Sequence, residues 1–130
     1  MRNLICEKQR LTTEKPVNAL KSEADYQQML QKSHQTPTFL FKHSTRCGIS
    51  AGAFQDFAGF LRAHPEVSSY QLLVIEDRPV SNFVAQVTGI PHKSPQVFLF
   101  WQGQPVWHTS HWAIREKSLS AALAALPTPG

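Results

Sequence analysis

The sequence predicts a mixed α/β fold, one central sheet with helices on both faces. Three observations predict it. Short β-rich apolar runs alternate with segments whose apolar residues recur near a 3.6-residue period. The unit from Phe39 to Ile75 reads strand–helix–strand, which requires parallel strands and a right-handed crossover. The unit from Gln96 to Thr109 reads as two strands joined by a tight turn, which requires an antiparallel pair.

The elements follow in order. Residues 1–15 are polar, carry no clear period and are expected to form a flexible extension, with a single domain over 16–130. Val17-Asn18-Ala19-Leu20 is a candidate short first strand. Ser22-Glu23-Ala24-Asp25 resembles a capping box, with Asp25 where Glu is usual. It leads a helix to about Lys32, which Thr36-Pro37 ends. Thr38 to Lys42 is a strand. Gly48 to Ala63 is a helix, with Ile49, Phe54, Phe57, Ala58 and Leu61 near the helical period, closed by His64-Pro65. Tyr70 to Ile75 is a second buried strand. Asp77 with Pro79 starts a helix that carries Val80, Phe83, Val84 and Val87 and stops at Gly89. Gln96 to Trp101 is a strand, Gln102-Gly103-Gln104 a turn and Val106 to Thr109 its partner. Glu116 to Leu126 is a terminal helix, ended by Pro127. The order (β)α-β-α-β-α-β-β-α is that of the thioredoxin fold, and no internal repeat interrupts it.

Composition narrows the function. A chain of 130 residues, 42% hydrophobic and 17% charged, is one globular domain by prior. Its formal charge of +4 is mild and lacks a Lys/Arg stripe with interleaved aromatics, so nucleic acid is not expected as a partner. No apolar run approaches the roughly 20 residues of a membrane span, so no membrane partner is expected. The cluster Leu4-Ile5-Cys6 is too short for a signal-peptide core of about 7–15 residues. A reducing cytoplasm is the expected compartment. Cys6 and Cys47 are too few for a disulfide scaffold or a cysteine-only zinc site.

Cys47 is the residue around which a function assembles. It lies just past a strand and just before a helix, where backbone N–H groups and the helix dipole favour a thiolate. Lys42, His43 and Arg46 are expected to add positive potential. Three residues on, where a dithiol redox protein has its second cysteine, stands Ser50, so the pattern is that of a one-cysteine redox protein. Ser50 is expected to donate to the thiolate or to serve as a plain first-turn polar residue.

Strand direction brings further segments to Cys47. The strand 70–75 exits at Asp77-Arg78, the strand 96–101 enters at Ser94-Pro95, and the strand 106–109 exits at Ser110-His111-Trp112, all at the same sheet end. Ligand sites in open α/β sheets favour such strand-end crevices. Pro95, directly before a strand, is expected to be cis and to expose the Ser94 backbone for pairing with an extended thiol substrate. Arg46 and Arg78 are candidates to hold carboxylates of a thiol cofactor, Lys93 a weaker one. His111 and Trp112 are read as cleft rim, Trp101 and Trp107 as packing residues. His108 and His111 lack a nearby carboxylate or second cysteine, so no metal is expected. Cys6 is the internal candidate to resolve an adduct, or a tail cysteine without a role.

From Phe39 to Leu119 the chain resembles the YtxJ-type monothiol bacilliredoxins. The resemblance is carried by Lys42-His43-Ser44-Thr45-Arg46-Cys47-Gly48-Ile49-Ser50, Asp77-Arg78-Pro79-Val80-Ser81-Asn82, Ser94-Pro95-Gln96 and Val106-Trp107-His108-Thr109-Ser110-His111-Trp112. It implies a thioredoxin fold, bacillithiol as thiol co-substrate and removal of bacillithiol from client proteins, with Cys47 as nucleophile. Bacillithiol or another redoxin would then resolve the adduct. Relatives more often carry Pro where this chain has Gly48, and either fits a helix's first turn.

Two other classes stay open on the sequence. Cys47-Gly48-Ile49-Ser50 and Pro95-Gln96-Val97-Phe98 also resemble monothiol glutaredoxin-like iron–sulfur carriers. Those carriers hold glutathione near a Gly-Gly-x-Asp turn, and Trp107 to Trp112 has neither the glycines nor the Asp. A redox-inert binding module on the same fold would leave Cys47 an ordinary thiol.

Overall fold

The computed structural model describes residues 17–127, so the expected extension over 1–15, Cys6 included, lies outside the described residues. Five strands form one sheet: β1 (Asn18–Ala19), β2 (Thr38–His43), β3 (Ser68–Leu73), β4 (Gln96–Trp101) and β5 (Gln104–Ser110). Their spatial order is β1-β3-β2-β4-β5. β1, β3 and β2 pair in parallel, and β4 joins β2 and β5 antiparallel. The helices are α1 (Glu23–Lys32), α2 (Gly48–Ala63), α3 (Arg78–Thr88) and α4 (Glu116–Ala124), with one 3-10 turn at His111–Ala113. Among the described residues no helix is long and apolar enough to cross a membrane.

The two-residue period of the central strands builds two cores. Phe39 and Phe41 of β2 and Val97 and Leu99 of β4 face α2 and α4, meeting Phe57, Phe60 and Leu119. Leu40, Phe98 and Phe100 face the other way, meeting Tyr26 and Met29 of α1 and Val80 and Val84 of α3. Buried on both faces, β2 and β4 read as apolar runs, interrupted by Lys42 and Gln96.

Local chemistry sets most boundaries. Ser22 caps α1, its hydroxyl accepting from Asp25 N at 3.1 Å. Asp25 does not close the box on Ser22; its carboxylate accepts from Lys21 N at 2.8 Å, one residue further out. Pro79 sits in the first turn of α3 and Gly89, at φ 71°, ends it in the left-handed region. The hairpin between β4 and β5 turns on Gln102 (φ 57°) and Gly103 (φ 80°), a two-residue loop of the primed kind. That turn docks on the end of α1: Ser33 O accepts from Gln102 N at 2.8 Å, and Ser33 Oγ accepts from Gly103 N at 2.9 Å.

Four boundaries differ from the expectation by two residues. β3 starts at Ser68 rather than Tyr70, because Thr38 and Phe39 of β2 pair with Ser68 and Ser69 and bury them. It ends at Leu73, and Val74 and Ile75 belong to the turn closed by Asp77 N donating to Leu73 O at 2.8 Å. β5 begins at Gln104 rather than Val106. It is an edge strand, so Pro105 is tolerated there, beside an irregularity between Leu99 and Phe100. α4 ends at Ala124, and Leu126 bends back against the α2-side core.

Candidate functional site around Cys47

One row across the sheet defines the site end: Leu72 of β3, Lys42 of β2, Gln96 of β4 and Ser110 of β5 are successive register partners. Everything expected at the site leaves from this row. Cys47, Arg78, Ser94-Pro95 and Ser110-His111-Trp112 therefore share one end of the sheet. The link between β4 and β5 continues past the strands, His111 N donating to Pro95 O at 3.0 Å.

Cys47 is the N-cap of α2, with extended backbone (φ −116°, ψ 122°). Its carbonyl accepts from Ala51 N at 3.1 Å, while its side chain makes no capping bond. The first turn of α2 contains no acidic residue. The half-buried thiol, the free cysteine among the described residues, therefore meets the helix's positive end with no carboxylate there to oppose it.

The residues just upstream point differently from the sequence expectation. Lys42 is fully buried on the opposite face of the sheet from α2. Its Nζ donates to Ser81 O at 3.1 Å, lies 3.2 Å from His92 Nδ1 and sits 5.9 Å from the Phe98 ring centre. Burial pulls its pKa down to about 8. His43 remains on the α2 side, stacked on Phe54 at 5.0 Å. Burial lowers its pKa, and Glu76 only partly opposes this. So Lys42 serves the α3 side, and His43 favours its neutral form; of the three expected cations, Arg46 is the exposed one beside the thiol.

Ser50 is likewise committed elsewhere. Fully buried, its hydroxyl accepts from Ser44 N at 3.0 Å and lies 2.7 Å from His43 Nδ1. Both partners, Ser44 N and His43 Nδ1, lie on the β2 side of the helix start. Ser50 instead ties the first turn of α2 to the end of β2.

The loop before β4 carries the Ser94–Pro95 peptide bond in the cis form. Gln96 holds this loop from inside, its Oε1 accepting from Lys93 N at 3.3 Å and its Nε2 donating to Pro91 O at 3.1 Å. Among the described residues, Ser94 Oγ is the buried side-chain polar atom left without a hydrogen-bond partner. Such an atom destabilises the free protein by roughly 1–3 kcal/mol. Ser94→Ala is expected to raise the unfolding free energy by about 1 kcal/mol in urea titrations; a fall would mean that the hydroxyl is bonded in the free protein.

Arg78 turns back on the turn that precedes its helix, Nε donating to Val74 O at 3.0 Å. Arg46 is exposed. Trp112, 72% exposed, and His111, in the left-handed region at φ 56°, stand on the 3-10 turn opposite the start of α2. Between them and α2 lies an open cavity of about 430 Å³, lined also by Gly48, Ile49 and Arg115. Arg115 was not among the residues expected at the site. Its signal was position, three residues past Trp112 at the start of the last helix. Among the described residues no group of three or more His, Cys, Asp or Glu is placed to hold a metal.

Comparison with known proteins agrees with this geometry. The family model described as monothiol bacilliredoxin BrxC matches residues 18–119. A solved structure described as having a thioredoxin fold is 34% identical, with a TM-score of 0.75 over 82% of this chain and 92% of that one. The thioredoxin of Malassezia sympodialis is 21% identical, with a TM-score of 0.66 over 84% of this chain and 89% of its own. Mitochondrial thioredoxin 3 of Saccharomyces cerevisiae is 14% identical, with a TM-score of 0.68 over 85% and 95%. The fold is that of thioredoxin.

Proposed function

This chain belongs to the monothiol bacilliredoxin BrxC family, and on that footing we propose that it acts as a YtxJ-type bacilliredoxin, a thiol–disulfide oxidoreductase that removes bacillithiol from client proteins in a reducing cytoplasm. The observation that carries the reading is Cys47, free and half-buried at the N-terminus of α2, with a serine where a second active-site thiol would stand.

The Cys47 thiolate attacks the bacillithiol sulfur of a client's mixed disulfide. A Cys47–bacillithiol disulfide forms as the client–bacillithiol bond breaks, and the client leaves as a thiolate that takes a proton from water. No electrons are gained or lost overall in this exchange. Ser50 has a hydroxyl and cannot displace the adduct, so a second thiol, bacillithiol itself or another redoxin, attacks next and frees Cys47. That thiol is oxidised as Cys47 is reduced. In this reading the Ser94 backbone before Pro95 pairs with the extended substrate, Ser110, His111 and Trp112 rim the cleft, and Arg46 and Arg78 add positive charge around it.

Intact-mass analysis of reduced protein, exposed separately to oxidised bacillithiol and oxidised glutathione, tests the reading. The expected result is one bacillithiol per chain and little glutathione. Preferential glutathionylation would overturn it in favour of a glutaredoxin-like protein. No adduct from either would leave a binding module.

A further inference from the structure

The cavity between α2 and the 3-10 turn holds features that thiol exchange alone does not need. It begins at Gly48, the residue after Cys47, and runs along α2 past Gly52 toward Asp56. At Gly48 and Gly52 an added Cβ would meet no heavy atom within 4 Å, so the space over this face is open. Trp112 stands as an exposed indole wall. Arg115 closes the end, its Nε donating to Trp112 O at 3.3 Å. Among the described residues, no acceptor bonds its two terminal nitrogens. Asp56 also lines the cavity, its carboxylate accepting from Glu116 N at 3.3 Å.

A flat aromatic wall, a guanidinium with its fork unused and a carboxylate form a small, specific set of polar groups around a space of ligand size; such pockets commonly span about 300–1,000 Å³. We propose that this cavity is the subsite for the non-thiol body of the small thiol that Cys47 carries, an anionic amino-sugar thiol. Arg115 pairs with its carboxylate, since a guanidinium fork matches a carboxylate bidentately. The sugar ring lies over Gly48 and Gly52 against Trp112, and Asp56 faces the amine. This rests on the reading that bacillithiol is the co-substrate and assigns its recognition to Arg115 and the α2 face. Neither Arg46 nor Arg78 lines this cavity.

The test compares two disulfides on the full chain. Oxidised bacillithiol has the carboxylates and the sugar; 2-hydroxyethyl disulfide has neither. Each transfers one half to Cys47 and releases the other half as a thiolate. Gly52→Leu fills the cavity and also favours the helix, and Arg115→Gln removes the charge. Each variant is expected to slow adduct formation with oxidised bacillithiol about ten-fold, as for loss of one charged hydrogen bond. With 2-hydroxyethyl disulfide the rates should stay within about two-fold of the unsubstituted chain. Unchanged bacillithiol rates in both variants would overturn the subsite. So would equal slowing with both disulfides, because the substitutions would then act on Cys47 itself. If the unsubstituted chain reacts with 2-hydroxyethyl disulfide but not with oxidised bacillithiol, the co-substrate reading fails first and the subsite with it.

Discussion

Cys47→Ser is expected to abolish adduct formation at this position and, with it, release of reduced client from a bacillithiolated protein. The loss should be complete, because a serine hydroxyl at neutral pH is a poor nucleophile unless an adjacent base activates it. His43, four residues upstream, has its Nδ1 engaged by Ser50 Oγ at 2.7 Å. The variant should fold normally. Cys47 makes no side-chain capping bond, and serine is among the preferred N-cap residues, so α2 keeps or improves its start. The chain also contains Cys6, so the measurement maps the adduct to a peptide as well as weighing the intact protein. Client release that persists in Cys47→Ser, with label on Cys6, would move the nucleophile to the N-terminal segment and refute the mechanism.

Lys42→Met should make the protein more stable. The lysine is fully buried with a pKa of about 8. In the unfolded chain its pKa is the ordinary 10.5. A folded-state pKa depressed for a cationic group means that the charged form is disfavoured by folding. Below pH 8 both states are protonated and the full penalty, about 3 kcal/mol, is present. Between pH 8 and 10.5 the folded protein sheds the proton first, so stability rises with pH across that window. Methionine matches the stem in length, adapts to the packing beside Phe98 and has no charge to desolvate. Its arrival orphans no buried partner: Ser81 O is a helix carbonyl, and His92 keeps Ser81 Oγ at 3.2 Å. Urea titrations should therefore show Lys42→Met ahead by about 1–3 kcal/mol at pH 7, with the gap closing toward pH 10. A variant less stable at pH 7, or a gap constant with pH, would show the buried ammonium to be net stabilising. The lysine also ties β2 to His92, in the loop that leads to Ser94–Pro95. The same variant is therefore expected to form its Cys47 adduct several-fold more slowly while being more stable, a trade of stability against function.

The parts of this protein legible in sequence were those written by neighbouring residues. The period of α2 and the His64-Pro65 stop gave its observed limits, 48 to 63, and Gly89 ended α3 where its freedom at positive φ is needed. The strand–helix–strand spacing required a parallel pair, and the tight turn at Gly103 an antiparallel one. From those directions alone, Cys47, Ser94-Pro95 and Ser110 to Trp112 came to one end of the sheet. Where contacts between distant segments decide, the pattern misled. Ser68 and Ser69 are polar yet form β3, because Thr38 and Phe39 lie beside them, while apolar Val74 and Ile75 lie in a turn.

The sequence by itself determined the fold class, the place of the Cys47 thiol at a helix start and the serine, not a second cysteine, three residues on. Those follow from backbone periodicity and residue identity, which are local. Only the tertiary structure decided that Lys42 turns away from the thiol toward Ser81 and His92, that Ser50 bonds His43 and Ser44, and that Arg115 comes to face the first turns of α2 across an open cavity. The physical reason is the same in each case. A side chain's partner depends on which face of the sheet its strand presents to which helix and on where a distant loop returns, and both are set by packing of the whole chain.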